Sequence, residues 1–329
     1  WRPDRNNFAP RFGIAYRPFG NNNTVIRAGY GIFYNMIVSA NGLSAMYRGL
    51  PFRRAETFIN TTTNIIATWA NPFPANVSGG GLNPQGINAD FRDAYMQQWT
   101  FGIQRQVTKD LVAEVTYFGS KGTRLPLNFD INQPPPGPGS IAARRPFPQW
   151  GAVNWRESIG NSSFNALTTR LEQRFARGLT FLATYTYSHS IDFGNQPAGS
   201  GDGESGILNP WNLKAERGHS EFDTRHRAIT SFVYDLPMGR GRALFGGASG
   251  WVQQLVGGWQ TSGIFLVQTG RPFTIITAND ISNTGNTGNR PFQVGNPNEG
   301  KRRPERWFNT AAFSDRLPAG VFRFGDVGT

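Results

Sequence analysis

Three histidines and several acidic residues lie close together in the sequence, and their side chains have the chemistry of metal ligands. The group consists of His189, Asp192, His219, Glu221, Asp223 and His226. Imidazole and carboxylate groups suit divalent transition metals. Their spacing matches no zinc motif, however, so we predict no metal site. We expect Asp223 and Arg225 instead to form hydrogen bonds at the entrance of a strand.

The remaining polar residues suggest no catalytic set. The chain lacks the G-x-S-x-G turn that positions a serine nucleophile in α/β-hydrolases. The glycine-rich stretch 199–206 fits neither a P-loop nor an EF-hand. We interpret it as a mobile loop rather than a weak calcium site at Asp202 and Glu204. The other carboxylates surround the same loop, where solvated charge is commoner than a glycosidase pair. The sequence therefore predicts a protein that is not an enzyme and has no cofactor.

The segment 165–190 has the clearest pattern from which to predict the strands that position these residues. It reads as two strands of roughly eleven residues, longer than the ~5–6 residues usual in soluble proteins. Leu167 and Leu171 alternate with Arg170 and Glu172, which gives one apolar and one charged face. About eleven residues, tilted by ~40°, rise about 28 Å, close to the ~25 Å apolar band of an outer membrane. This pattern predicts a membrane-spanning β-barrel.

The same alternation predicts four hairpins. Their strands are 8–16 with 24–34, 95–107 with 111–119, the two strands of 165–190, and 225–236 with 258–269. Connections inside the hairpins are shorter than those between them, as in barrels with short periplasmic turns and long extracellular loops. We predict an all-β, antiparallel barrel segment of about eight to ten strands. Because an incomplete barrel leaves two unpaired edges, we expect an open, curled sheet.

Two sets of side chains follow from this arrangement. Aromatic residues near the two membrane surfaces form the girdles typical of outer-membrane barrels; they are Tyr16, Tyr34, Trp99, Tyr117, Tyr185, Tyr187, Tyr234 and Trp259. The opposite face carries five charged residues, namely Arg27, Glu114, Arg170, Glu172 and Arg174. We predict that they face the lumen, either as a cross-strand charge ladder or as a lining that contacts a plug or a passing solute.

Four tryptophans fall in the predicted extracellular loops. Trp69, Trp150, Trp155 and Trp211 could stack on sugar rings of a ligand or anchor the loops. We favour anchoring, because buried aromatic side chains are common in loops.

The composition excludes several classes of protein. The chain contains no Cys, so disulfides and thiolate metal sites are excluded. The chain has no apolar run of about 18 residues, so the sequence predicts no helical membrane span. The net charge of +12 comes from scattered arginines, so we predict no nucleic-acid partner. The densest basic cluster, at 301–306, reads as a solvated loop, with attraction to anionic lipopolysaccharide or an acidic ligand as the alternative.

Several motifs resemble one known family. The segments 7–16, 24–34, 165–188, 223–237, 258–273 and 307–313 are similar, in this order, to the barrel of Oar-like TonB-dependent receptors. The resemblance implies a 22-stranded barrel closed by an N-terminal plug and energised by the inner-membrane TonB complex. Residues 1–329 would be a partial barrel domain of a longer exported protein. Since they include neither a plug nor a TonB box, no TonB-contacting residue can be transferred to this chain.

Three functional hypotheses follow. The first is a transporter in the bacterial outer membrane, in contact with lipid and lipopolysaccharide, that takes up a peptide, a glycan or a metal chelate. The second is a surface adhesin or binding barrel without active transport. The third is a soluble carbohydrate-binding β-protein, in which the face of Tyr185 and Tyr187 would pack inside a sandwich. A plug and a TonB box upstream would distinguish the first from the second.

Overall fold

The protein is built around one ten-stranded sheet. The structure, a computed structural model, describes residues 2–20, 23–35, 65, 67–72, 83–176, 178–193, 207–286 and 288–328. The strands of the sheet are β1 (Arg11–Tyr16), β2 (Thr24–Asn35), β3 (Gln85–Ile87), β4 (Ala94–Gln106), β5 (Leu111–Asp130), β6 (Asn154–Ala176), β7 (Leu179–Phe193), β8 (Arg217–His219), β9 (His226–Asp235) and β10 (Gln260–Gln268).

Eight of these strands form an antiparallel meander. Their order is β1-β2-β4-β5-β6-β7-β9-β10, with β3 paired parallel to β6 and β8 paired with β7. β1 and β10 lie at opposite ends of this order, and the sheet is not closed. The predicted fold class and the open sheet are therefore confirmed. The total of 22 strands stays a prediction.

The pairing register gives the sheet two unlike faces, because directly paired residues point to the same side. One row across six strands is mostly polar: Arg27, Gly102, Thr116, Thr168, Thr186 and Arg227. The next row, on the other side, is mostly apolar: Ala28, Phe101, Tyr117, Leu167, Tyr187 and His226. We call these sides the polar face and the aromatic face. The alternation predicted from sequence is thus present across the sheet.

Two strands are far longer than predicted. β5 has 20 residues and β6 has 23, whereas the sequence predicted 111–119 for the first and roughly eleven residues for the second, so both lengths were wrong. The two strands stay paired through 120–130 and 154–164; the sequence predicted a connection there, with a strand extension only at 152–158, which the pairing of 154–158 bears out. The register shifts near Leu125, beside Arg124 with its left-handed φ of 58°. The first strand also begins later than predicted, at Arg11, because Pro10 precedes it and cannot donate to a ladder.

A packed region, which we call the cap, lies at the end of the sheet opposite the short turns. It consists of residues 83–93, 124–159, 207–223 and 277–293. Its buried apolar side chains are Phe91, Leu127, Val153, Ile207, Leu208, Ile281 and Phe292. The rest of the large sheet, formed by β1, β2, β4, β9, β10 and residues 111–123, 160–176 and 179–190, we call the wall. If the short turns are periplasmic, the cap is extracellular.

Short elements complete the chain. They are the helices α1 (Ile141–Arg144) and α2 (Gly250–Val256), the 3₁₀ helices Leu213–Glu216 and Thr310–Ala312, and a small sheet of β11 (Phe292–Gln293) and β12 (Phe313–Ser314). α2 lies in the predicted connection between the strands 225–236 and 258–269, and α1 lies between two predicted hairpins. Among the described residues, no helix has the length and hydropathy to cross a membrane.

Candidate functional site

The five charged residues predicted to face the lumen share the polar face. Glu114 and Arg170 are directly paired across β5 and β6. The guanidinium of Arg170 lies 2.7 Å from the carboxylate of Glu172 and 3.9 Å from that of Glu114. Arg174 Nε lies 3.9 Å from Glu172, while Arg27 donates separately to Gln104 at 2.7 Å. Four of the five therefore form one charged cluster, and its exposure to a lumen remains a prediction.

An amphipathic recess adjoins this cluster near the turn end of the wall. Its volume is about 490 Å³, and Arg170 and Glu172 line it together with Leu182, Ser231 and Ile264. The pairing register places all five on the polar face. Such a mixture of charged and apolar groups suits contact with a folded segment or a partly polar solute.

The predicted girdle residues that lie on strands all share the aromatic face. Tyr34, Trp99, Tyr117, Tyr185 and Tyr187 are toward the cap end, and Tyr16 and Tyr234 are near the turns. Trp259 immediately precedes β10, where its indole N–H donates to the carbonyl of Leu255 at 2.6 Å. Their contact with lipid stays a prediction.

Hydrogen bonds and close packing order several of these rings. Tyr117 donates to Asn165 Oδ1 at 2.7 Å. The Trp99 indole covers its paired residue Gly119, where any added Cβ would overlap it. Glycine at this position therefore makes room for the ring.

The four tryptophans predicted to lie in loops have different surroundings, and Trp155 lies on β6, so its prediction as a loop residue was wrong. Trp155 lies over Gly86 and donates to Glu157 at 2.7 Å, and the ring of Trp150 is 5.6 Å from that of Phe147. Trp69 and Trp211 are more exposed, at 102% and 56%, than Trp150, at 37%. Anchoring fits Trp155 and Trp150, whereas the other two have surface free for a ligand.

Polar contacts hold the cap together. Gln133 donates to the carbonyl of Leu208 at 2.8 Å and accepts from Asn286 at 2.8 Å. Arg290 and Glu216 form a buried ion pair at 3.1 Å, with side chains 4% and 3% exposed. Burial raises the pKa of Glu216, although the charge of Arg290 acts in the opposite direction. These contacts join three loops that are far apart in sequence.

A second polar cluster lies where the wall meets the cap. β7 carries His189, and β8, which pairs with β7, carries His219. Their Nδ1 atoms lie 3.3 and 3.2 Å from the same oxygen of Asp223, Oδ2. The other Asp223 oxygen accepts the N–H of Ser190 at 2.9 Å. The structure therefore brings together two imidazoles and one carboxylate.

The electrostatics of this cluster favour a charged Asp223. Burial acts to raise the pKa of its carboxyl, but the hydrogen bonds from Ser190 and His189 and the charge of Arg225 outweigh burial and lower it. Arg225 lies 3.5 Å from Asp223, so the predicted contacts at a strand entrance are present. His226 is turned away and meets the hydroxyl of Tyr185 at 2.7 Å.

Sequence reasoning named these residues but could not group them. The ligand atoms of His189, His219 and Asp223 lie within 4.8 Å of one another, and this group leaves out Asp192, Glu221 and His226. The strand pairing that joins His189 to His219 leaves no periodic signal in the sequence. The calcium alternative at Asp202 and Glu204 lies outside the described residues.

The family description "Outer membrane beta barrel domain" matches residues 1–329. The chain belongs to this family. It is accordingly part of a barrel in the bacterial outer membrane, and the predicted localisation is confirmed. The narrower Oar-like assignment remains a resemblance.

Solved structures with similar folds cover only part of this chain. They include the outer membrane transporter YddB from Escherichia coli (14% identity, TM-score 0.44, 69% of this chain and 26% of that chain). Others are the FrpB iron transporter from Neisseria meningitidis, F3-3 variant (11%, 0.37, 79% and 32%), and the siderophore receptor PirA from Pseudomonas aeruginosa (13%, 0.32, 69% and 34%). The chain thus spans about a quarter to a third of their lengths. No curated protein matches the chain.

Proposed function

We propose that the chain forms part of the barrel of a TonB-dependent transporter, which takes up a ligand across the outer membrane without acting as an enzyme. The observation that carries the proposal is an open sheet with two unlike faces. The aromatic face suits lipid, and the polar face suits an aqueous or plug-filled lumen. The unpaired outer edges of β1 and β10 need further strands, because open edges are very costly in lipid.

The rest of the molecule is consistent with this function. Barrels of the predicted size have a lumen that a plug can fill. The recess beside Arg170 and Glu172 offers such a plug, or a solute, both charged and apolar contacts. The motifs at 7–16, 165–188 and 223–237 resemble those of TonB-dependent receptors and add support that the geometry alone does not supply.

An uptake experiment tests the proposal. The gene is deleted from its host, and depletion of a mixture of peptides, glycans and metal chelates from the medium is followed by mass spectrometry. We expect at least one solute to be depleted only by cells that carry the gene, and a protonophore to abolish this depletion. Equal depletion by both strains, or depletion that the protonophore does not change, would contradict active transport.

Exposed tryptophans favour one second candidate, a surface barrel that binds glycans without transporting them. Trp211 in the cap is exposed, as a sugar-stacking platform must be. Whole cells that carry Trp211→Ala would then lose binding to a glycan array. Trp251→Ala is the matched control, because Trp251 is also exposed but lies on α2 at the turn end. Unchanged glycan binding by the Trp211 variant would reject this candidate.

A further inference from the structure

We propose that His189, His219 and Asp223 form a binding site for a divalent transition metal ion, with Zn²⁺ as the best match. The site lies where β7 and β8 meet the segment that leads into β9. This inference departs from the sequence-based prediction of no metal site. It does not depend on whether the barrel transports a ligand.

The separations of the ligand atoms fit a tetrahedral ion. Zn²⁺ binds imidazole nitrogen and carboxylate oxygen at roughly 2.0–2.2 Å. In a tetrahedron of that size, neighbouring ligand atoms are roughly 3.3–3.6 Å apart. The two Nδ1 atoms lie 3.3 and 3.2 Å from Asp223 Oδ2. The ligand atoms of all three residues lie within 4.8 Å of one another, so an ion at the centre of the cluster requires the two imidazoles to draw closer to each other.

The carboxylate is already oriented for this role. Asp223 is buried, and its Oδ1 is held by the N–H of Ser190, so Oδ2 is directed to the histidines. Ser190 and Ser220, which flank this contact, are joined through their hydroxyl groups at 2.7 Å. Outer-shell hydrogen bonds of this kind fix the direction of a metal ligand.

The two histidines are accessible from solvent. Their side chains are 32% and 49% exposed, compared with 6% for Asp223. An ion can therefore reach the site, and a water molecule or a solute can complete its coordination. Three protein ligands and one exchangeable position are typical of open zinc sites rather than closed structural ones.

The ligand set also decides which ions are suitable. Ca²⁺ and Mg²⁺ prefer sites made of oxygen, whereas two imidazoles and one carboxylate suit Zn²⁺, Cu²⁺, Ni²⁺ and Fe²⁺. Without an ion, each Nδ1–H can donate to Asp223 Oδ2; metal binding uses the other tautomer, in which the imidazole proton is on Nε2 and Nδ1 is free to bind the ion. The positive charge of Arg225, 3.5 Å from the same oxygen, opposes the ion.

Zinc titration of purified variants tests the proposal. The whole protein that contains this chain is purified in detergent, treated with a chelator and titrated with ZnCl₂ by calorimetry. We expect His189→Gln and His219→Gln each to weaken one binding event by at least about 100-fold, the upper end of the losses caused by outer-shell changes. His226→Gln is the matched control, because His226 lies outside the cluster, and it should leave the affinity unchanged. Any other zinc site in the protein contributes equally to the titration of every variant, so it does not affect the comparison.

Two further measurements separate metal binding from a structural role. Co²⁺ should give the intense visible absorption of tetrahedral coordination in the wild type but not in His189→Gln. Arg225→Gln should bind Zn²⁺ more tightly, because a competing positive charge is removed. The thermal unfolding temperature in chelator shows whether each variant is folded. The proposal is wrong if the folded His189→Gln and His219→Gln variants bind Zn²⁺ as the wild type does. It is also wrong if calorimetry of the wild type shows the same Zn²⁺ binding events as calorimetry of these variants.

Discussion

The wall and the cap of this protein are stabilised in different ways. On the wall, large apolar side chains such as Phe101 and Leu171 are 48% and 45% exposed. In the cap, polar side chains such as Asn132 and Gln133 are 0% and 1% exposed. The wall reverses the tendency of soluble proteins to keep apolar residues inside, whereas the cap buries these polar groups together with apolar ones such as Phe91. The difference fits the proposal that the wall lies between lipid and a lumen, whereas the cap forms an interior of its own.

The buried ion pair of the cap should give the largest effect. Arg290→Leu leaves the carboxylate of Glu216 buried without its partner, which costs about 3–5 kcal/mol. Hydrogen exchange of residues 207–216 in the whole protein should accelerate accordingly, while exchange in β4 stays unchanged. The double variant Glu216→Leu/Arg290→Leu should recover most of the protection, because no buried charge remains unpaired. Equal acceleration in the wall and the cap would show that the two regions are not independent.

A single methyl group tests packing on the wall. In Gly119→Ala the new Cβ overlaps the indole of Trp99, and the forced displacement costs about 1–3 kcal/mol. The unfolding temperature of the detergent-solubilised protein should fall. Gly13→Ala is the matched control, since no atom lies within 4 Å of the added Cβ on this other strand of the wall. In a Trp99→Ala background the effect of Gly119→Ala should disappear; if it persists, the ring is not its cause.

The charged cluster of the wall should contribute less to stability than the buried ion pair of the cap or the packing of Trp99 on Gly119. Arg170→Ala removes contacts to Glu114 and Glu172, but these groups are partly exposed, so we expect a loss of about 0.2–1 kcal/mol. Raising the salt concentration to about 1 M should remove most of this difference, because salt screens exposed charges. A loss as large as that of Arg290→Leu would mean that the polar face is buried against another part of the protein.

Acid should produce the smallest change, in the loop that contains Asp315. Hydrogen bonds from Asn279 and Thr277 lower the pKa of this carboxyl below 3.8. The carboxyl of Asp315 binds protons more readily in the unfolded chain than in the folded one. Its ionised form therefore stabilises the folded state fully above pH 3.8, and this stabilisation is lost as the pH falls through the lowered pKa. Exchange at 277–279 should therefore increase below pH 3.8 in the wild type. Asp315→Asn should remove this dependence, and a variant that keeps it would assign the effect to another group.

The sequence predicted the wall much better than the cap, and the reason is physical. Alternation of residues such as Arg170 and Leu171 follows directly from a sheet with two unlike surroundings. The cap has no such period, because its interior is fixed by individual hydrogen bonds, for example from Asn286 to Gln133. The extension of β5 and β6 was missed because Gly122, Pro126 and Gly160 resemble loop residues.

The candidate metal ligands illustrate a further limit. Sequence reasoning identified His189, His219 and Asp223 as chemically suitable, but it rejected them because their spacing fits no motif. Their proximity depends on the pairing of β8 with β7 and on the turn after β8. Neither feature has a signal in the residue types, so only the structure could bring the three together.

The continued pairing of β5 and β6 decides which part of the protein is exposed at the cell surface. The stretch 120–130 of β5, at ~3.3 Å per residue and with a tilt of ~40°, rises roughly 28 Å further. If the short turns are periplasmic, the cap, which contains most of this hydrogen-bonded ribbon, therefore extends above the lipid headgroups. Antibodies and phages would meet the cap first, while the wall stays hidden from them. Selection by such agents would act on the cap and leave the alternating pattern of the wall intact.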